Sequence, residues 1–273
     1  MINNKPYWIN KVDQAKKAAE HVEETNKYPL GESVIYDDSK LSSCPNKNET
    51  KSYGRQKCFA MNSVDALYKI DAPGKKVAIL NFASYTNPGG MFLAGSSAQE
   101  ESLCHESNLY QNLKANQEFY DYNKSHKNRG LYSNRAIYTR DVCFIRDDIL
   151  KKCDVITCAA PNLSAFSYNK IIDSDLMSSS KMQENELALK SRCDFIRRIC
   201  DTEHVDKVIL GAWGCGVFKQ DPEMVAAFLK EAFKDSKIDC IYAVPLGFHK
   251  ENYKAFSEII NNWGKDAEQE RGD

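Results

Sequence analysis

The sequence lacks long apolar runs and any strong excess of charge of one sign. Its 273 residues contain no stretch approaching the ~18 consecutive apolar residues that cross a bilayer, so we expect no membrane span. Lys and Arg number 37 against 38 Asp and Glu, and the basic residues are not concentrated in one region. Because DNA and RNA are bound through concentrated positive charge, we expect no direct nucleic-acid binding.

Signals for secretion and for metal binding are missing as well. The first ten residues, MINNKPYWIN, contain no apolar core of the kind found in signal peptides. The ten cysteines include no C-x-x-C pair, which argues against a zinc or thioredoxin-like site. Cysteines without a secretory signal indicate a reduced, cytoplasmic protein. We expect neither a metal nor a cofactor.

The chain does contain a regular alternation of strand-like and helix-like segments. An apolar share of 42% allows a sizeable core, and the alternation favours a sheet with crossover helices. We predict strands at 56–61, 77–80, around 136–138, 154–160, 208–210 and 240–245. We predict helices over 8–28, from Asn62 or Ser63, over 186–204, from Asp221-Pro222 and over about 252–263, with a polar loop over 37–54. Helical periodicity places Val12 and Leu187 among the buried residues.

The most informative stretch follows the strand at 77–80. It contains the turn-forming Asn87-Pro88-Gly89-Gly90, whose glycines leave room for a ligand close to the main chain. Ser97 and Glu100 then have the spacing of a capping box. We therefore predict a helix that starts there and continues to about Leu113.

Two adjacent acidic residues begin this helix and have different predicted roles. Glu100 can occupy the capping box, whereas Glu101 has no local partner. Glu101 is either a solvated acid favoured by the helix dipole or a carboxylate that acts on a ligand in the adjacent glycine loop. Hydrolysis of a glycosidic bond requires such a carboxylate, as proton donor or as activator of water.

A second glycine-rich loop, Gly211–Phe218, connects the strand at 208–210 to the helix that begins at Asp221-Pro222. Free N–H groups in such a loop suit a phosphate. The loop has neither the Gly-Lys-Ser/Thr of a P-loop nor the G-x-G-x-x-G spacing. By itself it is either a tight structural turn or a phosphate site.

The two loops together resemble those of a known family. Pro88-Gly89-Gly90, a short spacer and Gln99-Glu100-Glu101 are similar to the signature of the bacterial-type poly(ADP-ribose) glycohydrolases, a macro-domain-like family. Met91 stands where that signature has a third glycine. The similarity extends over nearly the whole chain, including 140–148 and Ala160-Pro161-Asn162. It implies an α/β fold, a macro-domain-like α/β/α sandwich with a mixed central sheet.

The same resemblance divides the chain into three parts. It implies a helical N-terminal extension with a loop over 1–54 and a catalytic domain over 55–264. The remaining residues, 265–273, form a polar tail.

The resemblance also implies a function and a site. The protein would release ADP-ribose from poly(ADP-ribose), with Glu101 as general acid and base and Glu100 holding hydroxyls of the neighbouring ribose. The terminal ribose would lie between the first glycine loop and Phe218. From its position in the chain alone, we also expect Asn62 to meet adenine. The other implied ligand contacts are Asn87, Gly89, Gly90 and Gln99 and, for the diphosphate, Gly214, Cys215, Gly216 and Val217.

Two alternatives stay open at this point. The same carboxylates could remove a single ADP-ribose from a protein side chain or another acceptor. The other alternative is a binding module without turnover, although binding an anion does not need two acids. In each case we expect a monomer whose partner is ADP-ribose, or poly(ADP-ribose) carried by a modified protein.

Overall fold

Seven strands form a mixed sheet in the computed structural model, which describes residues 7–41, 53–168, 176–247 and 250–261. In chain order they are β1 (Ser33–Asp37), β2 (Gln56–Phe59), β3 (Val77–Phe82), β4 (Arg135–Arg146), β5 (Ile149–Cys158), β6 (Lys207–Leu210) and β7 (Asp239–Ala243). Their spatial order is β1-β4-β5-β3-β6-β7-β2. The last five strands in this order are parallel, whereas β4 is antiparallel to both β1 and β5.

Helices cover both faces of the sheet. In chain order they are α1 (Tyr7–Thr25), α2 (Asp38–Leu41), α3 (Ser63–Lys69), α4 (Gln99–His105), α5 (Leu109–Ala115), α6 (Gln117–Ser125), α7 (Leu163–Tyr168), α8 (Leu176–Thr202), α9 (Pro222–Phe233) and α10 (Lys250–Asn261). Two short 3-10 segments lie at Phe92–Ala94 and Asn128–Gly130. None of the described helices is both long enough and apolar enough to span a membrane.

The apolar core is split into two clusters by the sheet. Ala78 and Leu80 of β3 belong to the cluster formed with α8, α9 and α10, whereas Ile79 belongs to the cluster formed with α1 and α3–α6. Neighbouring strand residues fall into different clusters because side chains alternate between the two faces of a strand. The predicted α/β/α sandwich with a mixed sheet is therefore confirmed.

Two of the helix starts predicted from capping residues, those of α9 and α3, are confirmed. Asp221 is the N-cap of α9 and accepts the Met224 N–H at 2.9 Å, with Pro222 in the first turn. Asn62 is the N-cap of α3, where its Oδ1 accepts the Asp65 N–H at 2.8 Å. Of the two predicted caps for α3, Asn62 is thus the correct one.

The prediction of one continuous helix from Ser97 to Leu113 is wrong, because α4 and α5 are two separate helices. Ser107 Oγ donates to the Leu103 carbonyl at 2.6 Å and accepts the Leu109 N–H at 3.1 Å. Asn108 accepts the Cys143 N–H of β4 at 3.0 Å through its Oδ1. Short polar side chains that bond to backbone groups in this way compete with helical hydrogen bonds, so the helix ends.

The N-terminal segment holds two elements that the sequence did not indicate. β1 forms an edge of the sheet, where Ile35 pairs with Ile137 of β4. α2 occupies the start of the predicted loop at 37–54, whose residues 42–52 lie outside the described part. The tail at 265–273 also lies outside it. The domain division at 54/55 stays a prediction.

Two long helices are confirmed, but each has a predicted core residue that faces solvent. In α1, Val12 is 65% exposed while Ala18 is fully buried. α1 packs against the turn at 92–95, and a Cβ at Gly95 would lie 2.0 Å from the Lys11 carbonyl oxygen. In α8, Leu187 is exposed and Leu189 is buried, since residues two apart on a helix lie about 200° apart.

Candidate active site

A cavity of about 630 Å³ opens at the carboxyl ends of the parallel strands β3, β6 and β7. Its walls come from the loop after β3 together with the start of α4, the loop after β6 and the residues after β7, and the starts of α3 and α10 add further lining residues. Ligands of open α/β sheets bind at this edge. Both glycine-rich loops that stand out in the sequence therefore face one cavity.

Glu100 lines this cavity and is only 3% exposed. Its Oε2 accepts the Ser84 backbone N–H at 2.7 Å, and its Oε1 accepts a side-chain N–H of Asn81 at 3.2 Å. The predicted capping box is wrong, because Ala98 is the N-cap of α4 and no side chain caps it. Ser97 has the right spacing, but the carboxylate of Glu100 bonds to groups at the end of β3 instead of to the helix terminus.

Burial raises the pKa of the Glu100 carboxyl to about 8. The hydrogen bonds from Ser84 and Asn81 act in the opposite direction and lower this pKa, and the nearby charge of Glu101 raises it. Desolvation is the largest of these effects because it disfavours the charged form. A carboxyl with this pKa is mainly uncharged at pH 7.

Asn81 is a fully buried amide that connects Glu100 to the neighbouring strand. It also donates to Thr157 Oγ1 of β5 at 3.3 Å, and its own Oδ1 has no partner among the described residues. The two ends of an amide are assigned from such hydrogen bonds. With the amide turned over, Oδ1 accepts a hydrogen bond from the carboxyl O–H of uncharged Glu100. Asn81 can therefore pair with either protonation state of the acid.

Glu101 is buried beside Glu100 but has a different set of partners. Its Oε1 accepts the Met91 backbone N–H at 2.9 Å. Its Oε2 makes no hydrogen bond with any residue in the described ranges. One oxygen of Glu101 is thus held by the glycine loop while the other is available to a ligand in the cavity.

Gly90 is the point at which the main chain approaches both acids. A Cβ on Gly90 would lie 2.7 Å from Glu101 Oε1 and 3.0 Å from Glu100 Oε2, and its φ is +60°. Only glycine satisfies both conditions. Met91, by contrast, has a φ of −110°, which any residue adopts. The third glycine of the signature is therefore not needed for the backbone contact to Glu101.

Some of the remaining residues of the first motif line the cavity, and others contact the surrounding protein. Asn87 lines the cavity, whereas Gly89 does not, and a Cβ on Gly89 would lie 2.8 Å from the Tyr110 ring. Gln99 also lines the cavity, but its side chain is engaged by the protein. Its Oε1 accepts the Phe82 N–H at 2.8 Å, and its Nε2 donates to the Leu80 carbonyl at 2.9 Å. Gln99 thus fixes α4 to the end of β3.

The second loop presents backbone N–H groups at the cavity. Gly214, Gly216 and Val217 line the cavity, and their N–H groups make no hydrogen bond within the described part of the chain. Cys215 does not line it, and its N–H is donated to the Ala212 carbonyl at 3.2 Å. Of the four residues predicted to meet the diphosphate, three are therefore free to do so.

Phe218 and Asn62, predicted to contact the terminal ribose and adenine, both lie at the cavity wall. Phe218 is half-buried, lines the cavity and meets the ring of Tyr132 edge-on at 6.2 Å between centroids. Tyr132 in turn stacks on Tyr85 at 3.9 Å, so the Phe218 ring has an aromatic support. Asn62 lies at the cavity wall, but both ends of its side-chain amide bond to Asp65 at 2.8 and 2.9 Å.

Several residues of the site were not identified from the sequence. Asn81 and Ser84 hold Glu100, and their position just at the end of a buried strand was a usable signal. Trp213 is fully buried and donates its Nε1–H to the Cys158 carbonyl at 2.9 Å, which anchors the second loop. Asn252 lines the cavity from α10, and no local pattern indicated it.

Metal ligands are not gathered anywhere in the described part of the chain. No group of three or more His, Cys, Asp and Glu residues there could hold a metal ion. The nine cysteines that the structure describes are free thiols, and eight of them are buried. The chemical groups of the cavity are therefore two carboxyls, amides, hydroxyls and backbone N–H groups.

Comparisons with known proteins agree with this architecture. A family model described as the catalytic domain of microbial-type PARG matches residues 3–147. The crystal structure of poly(ADP-ribose) glycohydrolase (PARG) from Thermomonospora curvata is similar with a TM-score of 0.78 and 25% identity, over 91% of this chain and 99% of that one. No curated protein sequence matches the chain.

Two ligand-bound structures are similar as well. PARG from Thermomonospora curvata bound to the inhibitor ADP-HPD has a TM-score of 0.76 at 25% identity, covering 90% of this chain and 99% of that one. PARG from Deinococcus radiodurans in complex with ADP-ribose has a TM-score of 0.74 at 23% identity, covering 88% and 97%. At 23% identity, the similarity to this second protein shows a shared fold and no more.

Proposed function

This chain belongs to the family of microbial-type poly(ADP-ribose) glycohydrolase catalytic domains, and we propose that Glu101 is the residue that breaks the bond. As a member of this family the protein is a glycosidase that acts on poly(ADP-ribose). One observation carries the assignment of Glu101. Both oxygens of Glu100 are bonded to the end of β3, whereas Glu101 keeps one oxygen free at the cavity.

The proposed reaction has two proton transfers at Glu101. In the first step Glu101 donates its proton to the ribose oxygen that leaves the anomeric carbon, and the glycosidic bond breaks with oxocarbenium character. That oxygen becomes a hydroxyl of the shortened polymer. In the second step water adds to the anomeric carbon and gives one proton to the Glu101 carboxylate. This step forms free ADP-ribose and restores the protonated acid. The Met91 N–H holds the second oxygen of Glu101 in place throughout.

Glu100 has a supporting role in this proposal. Its pKa of about 8 leaves it mainly uncharged at pH 7, so it adds little negative charge to a site that receives an anionic ligand. Its oxygens retain lone pairs that can accept ribose hydroxyls in addition to the bonds from Ser84 and Asn81. Glu100 then orients the sugar without taking part in proton transfer.

The ligand is proposed to lie across both loops. The diphosphate accepts the N–H groups of Gly214, Gly216 and Val217, where no protein acceptor competes, and the terminal ribose lies between Gly90 and Phe218. The related structures that contain ADP-ribose or the inhibitor ADP-HPD support this ligand class. The polymer carried by a modified protein, the monomeric state and the cytoplasmic location stay predictions.

Replacement of Glu101 by Gln tests the assignment directly. Incubation of Glu101→Gln with automodified polymer should yield free ADP-ribose ~10²–10⁴-fold more slowly than wild type, because the titrating group is lost while the shape is kept. Affinity for ADP-ribose should be retained. Glu118→Gln, an exposed acid on α6, is the matched control and should behave as wild type. Near-normal turnover by Glu101→Gln would show that another group performs the proton transfer.

A further inference from the structure

Met91 carries a large apolar side chain at the wall of the cavity. The residue lines the cavity and is 55% exposed. A single exposed apolar residue is ordinary on a protein surface, but one at the wall of a binding cavity is available to a ligand. The proposed mechanism uses only the backbone N–H of Met91. The side chain therefore has no function in that mechanism.

The main chain of Met91 is held on both sides of this side chain. Its N–H is donated to Glu101 Oε1 at 2.9 Å. Its carbonyl accepts the N–H groups of Ala94 and Ser96 at 3.0 and 3.2 Å. The next residue, Phe92, is buried in the core. A backbone fixed in this way keeps the Met91 side chain at the cavity, beside Glu101.

The leaving oxygen of the proposed reaction lies close to this side chain. During proton transfer that oxygen is at hydrogen-bond distance from the free carboxyl oxygen of Glu101. The other oxygen of Glu101 is 2.9 Å from the Met91 N. With ~2.8 Å for the new hydrogen bond, the leaving oxygen is at most ~8 Å from the Met91 N. An unbranched side chain with three rotatable bonds can meet a group attached near that oxygen.

The chemistry of the polymer determines which group this is. In poly(ADP-ribose) the leaving oxygen is the 2′ oxygen of an adenosine, and the base is attached to the neighbouring ribose carbon. A flat purine therefore lies close to the broken bond on the leaving side. When a single ADP-ribose is attached to an acidic or hydroxyl side chain of a protein, the leaving group carries no ring. A thioether packs favourably against an aromatic ring, with its sulfur ~5 Å from the ring.

We propose that the Met91 side chain contacts the adenine of the leaving unit and thereby favours polymer over a single ADP-ribose on a protein. The contact is made to the part of the polymer that stays behind and not to the ADP-ribose that is released. It gives the side chain of Met91 a role separate from that of its N–H. The inference rests on the proposed function, because it takes Glu101 as the proton donor.

The test compares two substrates that differ only in the leaving unit. One is a dimer of ADP-ribose, and the other is the same dimer with hydrogen in place of the leaving unit's adenine. Wild type should have a ~10-fold higher kcat/KM for the complete dimer, mainly through KM, because the contact forms before the bond breaks. Met91→Ala should lower this ratio to about 1, since it removes the thioether. Met91→Leu should retain part of the ratio, because an apolar side chain remains.

The ratio separates the two roles of Met91. A displaced Glu101 would slow both substrates alike and leave the ratio unchanged. Leu93→Ala is the matched control, because Leu93 is an exposed apolar residue of the same turn that does not line the cavity. It should keep the wild-type ratio. Equal kcat/KM values for the two substrates in wild type, or an unchanged ratio in Met91→Ala, would overturn the contact with the base. A wild-type protein that cleaves neither substrate would instead overturn the proposed function.

Discussion

Gly90 brings the main chain into contact with both acids of the site. Its backbone has a positive φ, and the space where a Cβ would stand is bounded by the Glu100 and Glu101 carboxyl oxygens. Met91, the next residue, supplies its N–H to Glu101 and has no such restriction. The geometry of the two acids therefore depends on one glycine.

Gly90→Ala should remove most of the activity. The new Cβ would lie 2.7 Å from Glu101 Oε1 and 3.0 Å from Glu100 Oε2, so at least one carboxyl must move. Misplacement of this kind can reduce turnover by ~100-fold. Gly74→Ala is a matched control, because Gly74 also has a positive φ but a Cβ there meets no atom within 4 Å. Equal activities in a polymer-hydrolysis assay would contradict the proposed contact.

The raised pKa of Glu100 predicts a specific dependence of stability on pH. The carboxyl has a pKa of about 8 in the folded protein and 4.5 as its ordinary value, so the stability it contributes is fully present below pH 4.5 and is lost as pH rises toward 8. The loss is on the order of 5 kcal/mol from the difference in pKa. Relative to wild type, Glu100→Gln should therefore become more stable as the pH increases.

Urea unfolding of wild type and Glu100→Gln at pH 5, 7 and 9 measures this effect. The Gln side chain can accept the Ser84 N–H, and Asn81 can turn its amide to meet the new NH₂ group. Glu118→Gln should show no such trend, because Glu118 is exposed. A difference between wild type and Glu100→Gln that stays constant over this pH range would mean that Glu100 is charged throughout.

At the scale of elements, other parts of the fold hold the two loops in place. The first loop is covered by α1, which approaches the backbone at Gly95. The second loop is anchored by Trp213 to the end of β5 and by Gln220, whose Nε2 donates to the Pro161 carbonyl at 2.7 Å. A preformed loop binds a diphosphate without first losing conformational freedom.

Gly216→Val should weaken ADP-ribose binding at least ~10-fold without unfolding the protein. A Cβ at Gly216 meets no protein atom within 4 Å, so the new side chain enters the open space in which we place the diphosphate. Titration calorimetry with ADP-ribose measures the loss, and thermal unfolding confirms the fold. Val217→Ala trims an exposed side chain and keeps the backbone N–H, so it should bind as wild type does. Unchanged affinity in Gly216→Val would leave the loop as a structural turn.

At the scale of the whole molecule, the cavity connects three strands of the sheet through the segments that follow them. The segment after β3 supplies the acids, the segment after β6 supplies the backbone N–H groups, and the segment after β7 and α10 supply further lining residues. A ligand that bridges these segments binds only when the sheet is assembled. Binding should therefore stabilise the folded state as a whole.

ADP-ribose should raise the melting temperature more than AMP does. At 100 times its Kd a ligand of the folded state adds ~2.7 kcal/mol, and at equal concentration the weaker ligand adds less. AMP lacks the terminal ribose and one phosphate, so it cannot reach Glu101 and leaves part of the second loop without a partner. Thermal unfolding with matched concentrations of each ligand distinguishes them. Equal shifts would contradict a cavity that uses both loops.

Features that depend on neighbouring residues could be predicted from the sequence. Val77–Leu80 reads as a buried strand because its run of apolar side chains needs two covered faces, and β3 is central in the sheet. Asp221-Pro222 starts α9 because the capping side chain and the fixed φ of proline act within one turn. The acids and the glycine loop lie close in sequence, so their motif was visible as well.

Features that depend on distant partners were decided only by the tertiary structure. Ser97 and Glu100 matched a capping box, but the buried carboxyl pairs with Ser84 and Asn81, at the end of a strand that the pattern did not include. β1 exists because β4 offers it a hydrogen-bonded edge. Asn252 reaches the cavity because α10 packs on β2, about 190 residues earlier in the chain. Each depends on burial and pairing between segments, which no local pattern encodes.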